Sequence, residues 1–232
     1  LKKARCFYEL DDYPQAVNTL GRVSYYDLSD TLLTEVYYKS ALYAYLGSDF
    51  TNAESQLLQL DFYVENIKLK QESLYLHILV LNELQKWDKA KNKLIELVEN
   101  SEISEQEKTL QREMAEDIYH ENNIPELKSI AKAQKLASFL PGIGHFYAGY
   151  YGEGIVNAGF QVVFLGLTAY GIYAKYYITA LAMPFTFFQK FYTGAMPRLE
   201  YLVNKRNYEV SRLYNNKLKL VILEITEKNS SQ

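Results

Sequence analysis

Three histidines, one cysteine and a glycine-rich run are the residues of this chain best suited to chemistry. Cys6 stands alone, so neither an internal disulfide nor a cysteine metal cluster can form. It reads as a buried thiol. His77, His120 and His145 lie far apart, and none has a cysteine or carboxylate at the spacing of a zinc site. His145, inside the glycine-rich run, reads as a satisfied structural histidine. Gly142, Gly144 and Gly149 do not form a nucleotide loop, because no Gly-Lys-Ser/Thr follows and no strand precedes them. No nucleophile elbow occurs. Glu153 and Lys175 fall at opposite ends of an uncharged stretch and are too far apart to pair. These residues point to no enzyme, no cofactor and no metal.

The elements around them carry more information. Tyr13, Phe50 and Trp87 recur every 37 residues, as do Ala16, Ala53 and Ala90, and Leu20, Leu57 and Leu94. Ala4, Ala41 and Ile78 keep the same register, and so do Leu10, Gly47 and Leu84. Each unit reads as an aromatic-rich helix, a polar turn (Asp11-Asp12, Ser48-Asp49, Gln85-Lys86) and a second helix. The alanine near the start of that second helix allows close packing, and the leucine four residues on shares its face. Such units bury their apolar faces only by stacking. Residues 105–121 read as one more helix with Leu110, Met114, Ile118 and Tyr119 on one side, ended by Asn122-Asn123-Ile124-Pro125. The tyrosines at 8, 13, 25, 26, 37, 38, 43 and 45 read as core and groove lining.

This pattern resembles the tetratricopeptide repeat over roughly residues 1–125. Tyr45-Leu46-Gly47 with Ala53 and Leu57, and Leu84 with Trp87, Ala90 and Leu94, carry the resemblance. The family repeat is usually about 34 residues, so longer turns or helices are expected here. The proline that closes a family unit is missing. The resemblance implies a helical-repeat solenoid that holds a protein partner.

Charge divides the chain. Residues 1–127 hold 23 acids and 13 bases, whereas residues 128–232 hold 5 acids and 12 bases. The basic half is also the apolar half, which points to a membrane and away from nucleic acid. Gly154 to Ala174 is 21 residues without a charge, about 30 Å as a helix, enough to cross a bilayer core. Tyrosines at 147, 150, 151, 173, 176 and 177 flank it as interfacial aromatics do. Asn157, Gln161 and Thr168 fall on one side, and Asn157, Gly159, Gln161 and Gly166 are candidates for helix packing within the membrane. A second apolar run from Tyr176 contains Pro184, which should kink it, and Lys190, which should snorkel. The expected organisation is a repeat domain over 1–125 and a membrane module over 126–232. The module comprises an interfacial or re-entrant segment (136–151), a transmembrane hairpin (153–174 and 177–197), a surface-lying amphipathic helix (198–216) and a short strand (218–225). The strand would need a partner's sheet. A polar tail follows from Glu227.

Pro141-Gly142-x-Gly144-His145-Phe146-Tyr147-x-Gly149, followed by an apolar hairpin, resembles TM2-type small membrane proteins. It also resembles bacterial membrane proteins that join tetratricopeptide-like repeats to such a hairpin. Phe191-Tyr192-x-Gly194 fits those proteins too, whereas His145 replaces their common glutamine. The resemblance covers roughly residues 130–216. It implies a non-enzymatic protein of the bacterial inner membrane whose partners are subunits of the secretion or insertion machinery. Lys128, Lys132, Lys135, Arg198, Lys205 and Arg206 flank the hairpin's outer ends, which the positive-inside rule assigns to the cytoplasm. The chain opens at Leu1 without Met, inside a helix. That points to a preceding segment such as a signal peptide, which would place the repeats in the periplasm. The expected function is a membrane-anchored repeat scaffold. The alternatives are a soluble repeat adaptor for a partner peptide, or a small oligomeric transporter built around Asn157 and Gln161.

Overall fold

A computed structural model of the chain describes residues 1–230; Ser231 and Gln232, the end of the expected polar tail, lie outside them. Among the described residues the regular elements are all helical. Packing divides the chain into two compact units. The first is Leu1–Ile124 with the residues from Arg212 on; the second is Pro125–Ser211.

In the first unit, α1 (Lys2–Glu9), α3 (Asp30–Leu46) and α5 (Ile67–Glu83) alternate with α2 (Tyr13–Leu20), α4 (Phe50–Tyr63) and α6 (Trp87–Glu99). The turns inside the three pairs are the same. Asp11, Ser48 and Gln85, each 37 residues from the next, adopt left-handed conformations with φ of 56°, 61° and 59°. In each case the following amide closes the helix end by donating to a carbonyl five residues back: Asp12 to Phe7 (2.9 Å), Asp49 to Ala44 (2.8 Å), Lys86 to Leu81 (2.9 Å). This is the Schellman geometry. That same residue then starts the next helix. Asp12 and Asp49 cap it by accepting from the amides of Gln15 and Asn52; Lys86 makes no side-chain cap.

Past the turns, Ala16, Ala53, Ala90, Leu20, Leu57 and Leu94 are all fully buried. Ala53 packs with Ala41 and Ala44, and Ala16 with Ala4 and Tyr43. Tyr37 and Tyr43 are core, whereas Tyr26 is largely exposed. Cys6 is exposed rather than buried. It sits two residues after the buried Ala4, which on a helix points it to the opposite side.

α7 (Glu105–Ile118) opens with a capping box between Ser104 and Glu107. Its buried side is Gln111, Ala115 and Tyr119, and Leu110 is mostly exposed. Of the expected face, Tyr119 is buried and Met114 and Ile118 are half-buried, while Leu110 turns outward and Gln111 and Ala115 take the interior in its place.

The second unit contains α8 (Ile130–Phe139), α9 (Ile143–Ala148), α10 (Tyr151–Tyr173), α11 (Tyr177–Ala180), a π-helical turn (Leu181–Phe185) and the first part of α12 (Thr186–Ser230). Pro184 falls inside the π turn, whose wider spacing accommodates a residue without an amide hydrogen.

Two expectations fail in α12. Residues 218–225 are helix, not strand. Leu218, Ile222 and Ile225 are fully buried while Leu220 and Leu223 are exposed, a period near 3.6 that a run of consecutive apolar residues conceals. Residues 198–216 do not form a separate surface-lying helix. Leu199, Leu202 and Val203 are buried, and Val203 packs on Ala133 and Ala148 within the second unit. The residues from Arg212 on belong with the first unit, so the boundary expected at 125/126 does not hold to the C-terminus.

They are held there by a buried polar network. Trp87 Nε1 donates to Asn215 Oδ1 (3.1 Å), Asn215 Nδ2 donates to the Asn82 carbonyl (2.9 Å), and Tyr119 donates to Asn82 Oδ1 (2.9 Å). Each such buried polar group, left without its partner, would cost about 1–3 kcal/mol.

Candidate functional site

The glycine-rich run builds the polar end of the second unit. Gly142 and Gly149, with φ of 87° and 88°, start and stop the six-residue helix α9. Both conformations are ones glycine adopts without steric cost. Gly144 is required for closeness: a Cβ there would lie 2.5 Å from the Ala133 carbonyl oxygen and 2.8 Å from Ala137 Cβ. Phe146 packs against Gly154, where a Cβ would meet its ring at 2.4 Å. Tyr147 Oη accepts from the Ser129 amide (3.1 Å), and Lys128 and Lys132 sit over its ring at 5.2 and 5.1 Å. The motif is thus a compact corner that seats α9 on α8 and at the start of α10.

α10 then runs antiparallel to the arm formed by α11, the π turn and the start of α12. Glu153 meets Arg198, Phe160 meets Phe191, Phe164 meets Phe187 and Gly171 meets Ala180. Steps of 7, 4 and 7 along α10 are matched by equal steps back along the other arm. On α10 these 18 residues make about five turns; the other arm covers the same number through the π-helical turn at Leu181–Phe185. They span about 27 Å, close to a bilayer core. Lys175, left-handed at φ 62°, closes the far end, and the Tyr176 amide donates to the Gly171 carbonyl (2.8 Å). At the open end Arg198 grips Glu153 through two hydrogen bonds of 2.9 and 2.8 Å. This pair escapes sequence reading because its members lie 45 residues apart.

The interior of α10 is polar and its exterior apolar. Its buried residues are Gly154, Gln161 and Thr168. Asn157 accepts from Gln161 Nε2 at 2.6 Å, and Gln161 is 1% exposed. Outside stand Ile155, Val162, Val163, Leu165, Leu167 and Ile172. Gly159 and Gly166 have open space where a side chain would be. α10 is long and apolar enough to cross a membrane.

A cavity of about 530 Å³ opens between α10 and the start of α12, lined by His145, Glu153, Phe160, Lys190, Phe191 and Arg198 among others. His145 is 2% exposed, and its Nδ1 has no hydrogen-bond partner. It is therefore not the satisfied histidine expected from the sequence. Burial lowers its pKa from the ordinary value.

The first unit has a smaller polar hollow of about 390 Å³, lined by Glu54, Asp61, His77, Lys93 and Glu96 among others. His77 is 2% exposed, with Nδ1 3.7 Å from Asp61 Oδ2, which Lys93 approaches at 3.3 Å. Helix packing brings these three together from separate parts of the sequence. Among the described residues no cluster of His, Cys, Asp and Glu is arranged to hold a metal.

Comparison with known proteins finds no matching family model, no similar curated protein and no similar solved structure.

Gly144→Ala is expected to lower the melting temperature of the chain, at a cost of about 1–3 kcal/mol or more, because the new methyl meets a backbone oxygen. Gly152→Ala, with nothing within 4 Å, should leave it unchanged or slightly higher.

Burial holds His77 below its ordinary value of about 6.5, against the opposing pull of Asp61. The unfolded chain therefore takes up that proton first. Stability should be complete above about pH 6.5 and fall as the pH drops toward the folded-state value. Denaturant titrations across this range should show a shallower dependence for His77→Gln. An unchanged slope would remove His77 as its source.

Proposed function

We propose that this chain is a non-enzymatic, membrane-anchored scaffold. Its first unit is a tetratricopeptide-like solenoid that holds a protein partner, and its hairpin crosses the bilayer. The observation that carries this reading is the inverted α10, which buries Gln161 and Thr168 while exposing its valines, leucines, isoleucines and Phe160. In water so large an apolar surface invites association; in lipid it is the ordinary arrangement, with polar and small residues turned inward. The equal-step register of the two arms over about 27 Å supports the second crossing. The 37-residue recurrence of left-handed turns, buried alanines and buried leucines supports the solenoid. The resemblance of the Pro141–Gly149 motif supports a bacterial inner-membrane location and a role as an accessory subunit of a translocation or insertion complex.

Membranes carrying the tagged protein should retain it through a carbonate wash, and mild-detergent purification should recover translocon or insertase subunits in comparable amounts. Release by carbonate would refute the anchor. Recovery of the protein alone, as a discrete oligomer, would refute the scaffold and favour self-assembled transport.

A further inference from the structure

Lys190 is the least expected residue of the hairpin. It lies eight residues before Arg198 on the same helix, about 12 Å deeper along the axis and near the level of Gln161. A cation at that depth in a bilayer is costly unless an anion or water meets it, and such residues mark functional sites. No acid pairs with Lys190 among the described residues, and its side chain lines the 530 Å³ cavity. The one acid in that lining, Glu153, is already held by two hydrogen bonds from Arg198. The lining therefore has an excess of positive charge. It also holds the buried, unpartnered Nδ1 of His145. Between the two cations the wall is mostly apolar, formed by Val156 and the stacked rings of Phe160 and Phe191, 5.1 Å apart, with Asn157 its one polar side chain.

We infer that this cavity binds one anionic membrane phospholipid. Its phosphate pairs with the Lys190 ammonium and is reached by Nη1 of Arg198, the guanidinium nitrogen not used on Glu153. Its chain begins along Phe160 and Phe191, and a phosphate or glycerol oxygen meets His145 Nδ1. Both cationic side chains are long enough to converge on one phosphate from positions about 12 Å apart, and guanidinium suits phosphate geometry. A soluble anion would satisfy the charges but leave the aromatic wall uncovered; a lipid covers both. The inference rests on the membrane-anchored reading.

The test uses the full chain in maltoside detergent, offered dioleoylphosphatidylglycerol or dioleoylphosphatidylcholine, with retained lipid counted by native mass spectrometry. Flotation with phosphatidylcholine liposomes reports anchoring separately. The expected result is one phosphatidylglycerol per chain, little phosphatidylcholine, and affinity reduced about tenfold or more in Lys190→Gln, the loss of one ion-pair's worth of binding. Val156→Trp, which fills the cavity and leaves the charges in place, should lose the lipid as well. Circular dichroism melting of both variants establishes that they fold. Equal retention of both lipids, undiminished retention by folded Lys190→Gln, or displacement by millimolar inorganic phosphate would overturn the proposal. If the chain floats but does not select phosphatidylglycerol, the lipid site fails and the anchor stands. If the chain does not float, both fail.

Discussion

One device sets the helix pairs of this protein: a helix stopped by a single left-handed residue, whose successor closes the old helix and opens the new one. It occurs at Asp11, Ser48 and Gln85 in the first unit and at Gly149 and Lys175 in the second. Each time, an amide reaches five residues back, to Phe7, Ala44, Leu81, His145 and Gly171. Because the turn consumes almost no chain, the residues after it must pack directly on the helix before it. This is why Ala16, Ala53 and Ala90 have no room for a larger side chain. It also fixes the register of the hairpin, in which Gly171 and Ala180 approach so closely that a Cβ on Gly171 would lie 2.7 Å from that of Ala180.

The same turn serves two different interiors. In the first unit it folds amphipathic helices around buried leucines, alanines and aromatic residues. In the second it folds α10 back along the other arm, and the inside of the pair takes Gln161 and Thr168, phenylalanines stack across the partly exposed seam, and the outside takes the aliphatic side chains. The functional argument follows from that inversion. Among the described residues these interiors build a cavity with cationic groups set against an aromatic wall and a polar hollow around His77.

The parts of the fold governed by short-range rules were legible in the sequence. The 37-residue period located the turns, and the uncharged run from Gly154 located α10. Other parts depend on contacts that spacing does not encode. Gly47 stood out only as a member of the repeat register; the left-handed position is held by Ser48, and Gly47 has an ordinary φ of −76°. What Gly47 supplies is space, since a Cβ there would lie 3.1 Å from Tyr13 Cβ. Residues 218–225 looked like a strand because their β-branched and apolar residues run consecutively, and only the buried set Leu218, Ile222 and Ile225 reveals the helical period. The Glu153–Arg198 pair, the approach of His77 to Asp61, and the Asn215 network join residues from separate helices, and nothing local signals them.

The central claim, that the hairpin crosses a bilayer with its open and closed ends on opposite sides, is tested most directly by cysteine accessibility. In a Cys6→Ser background, single cysteines at Lys128, Lys175 and Arg206 would be labelled in intact membrane vesicles with an impermeant maleimide, before and after permeabilisation. Positions 128 and 206 should label together from one side, and position 175 only from the other. Labelling of all three from the same side would contradict the account.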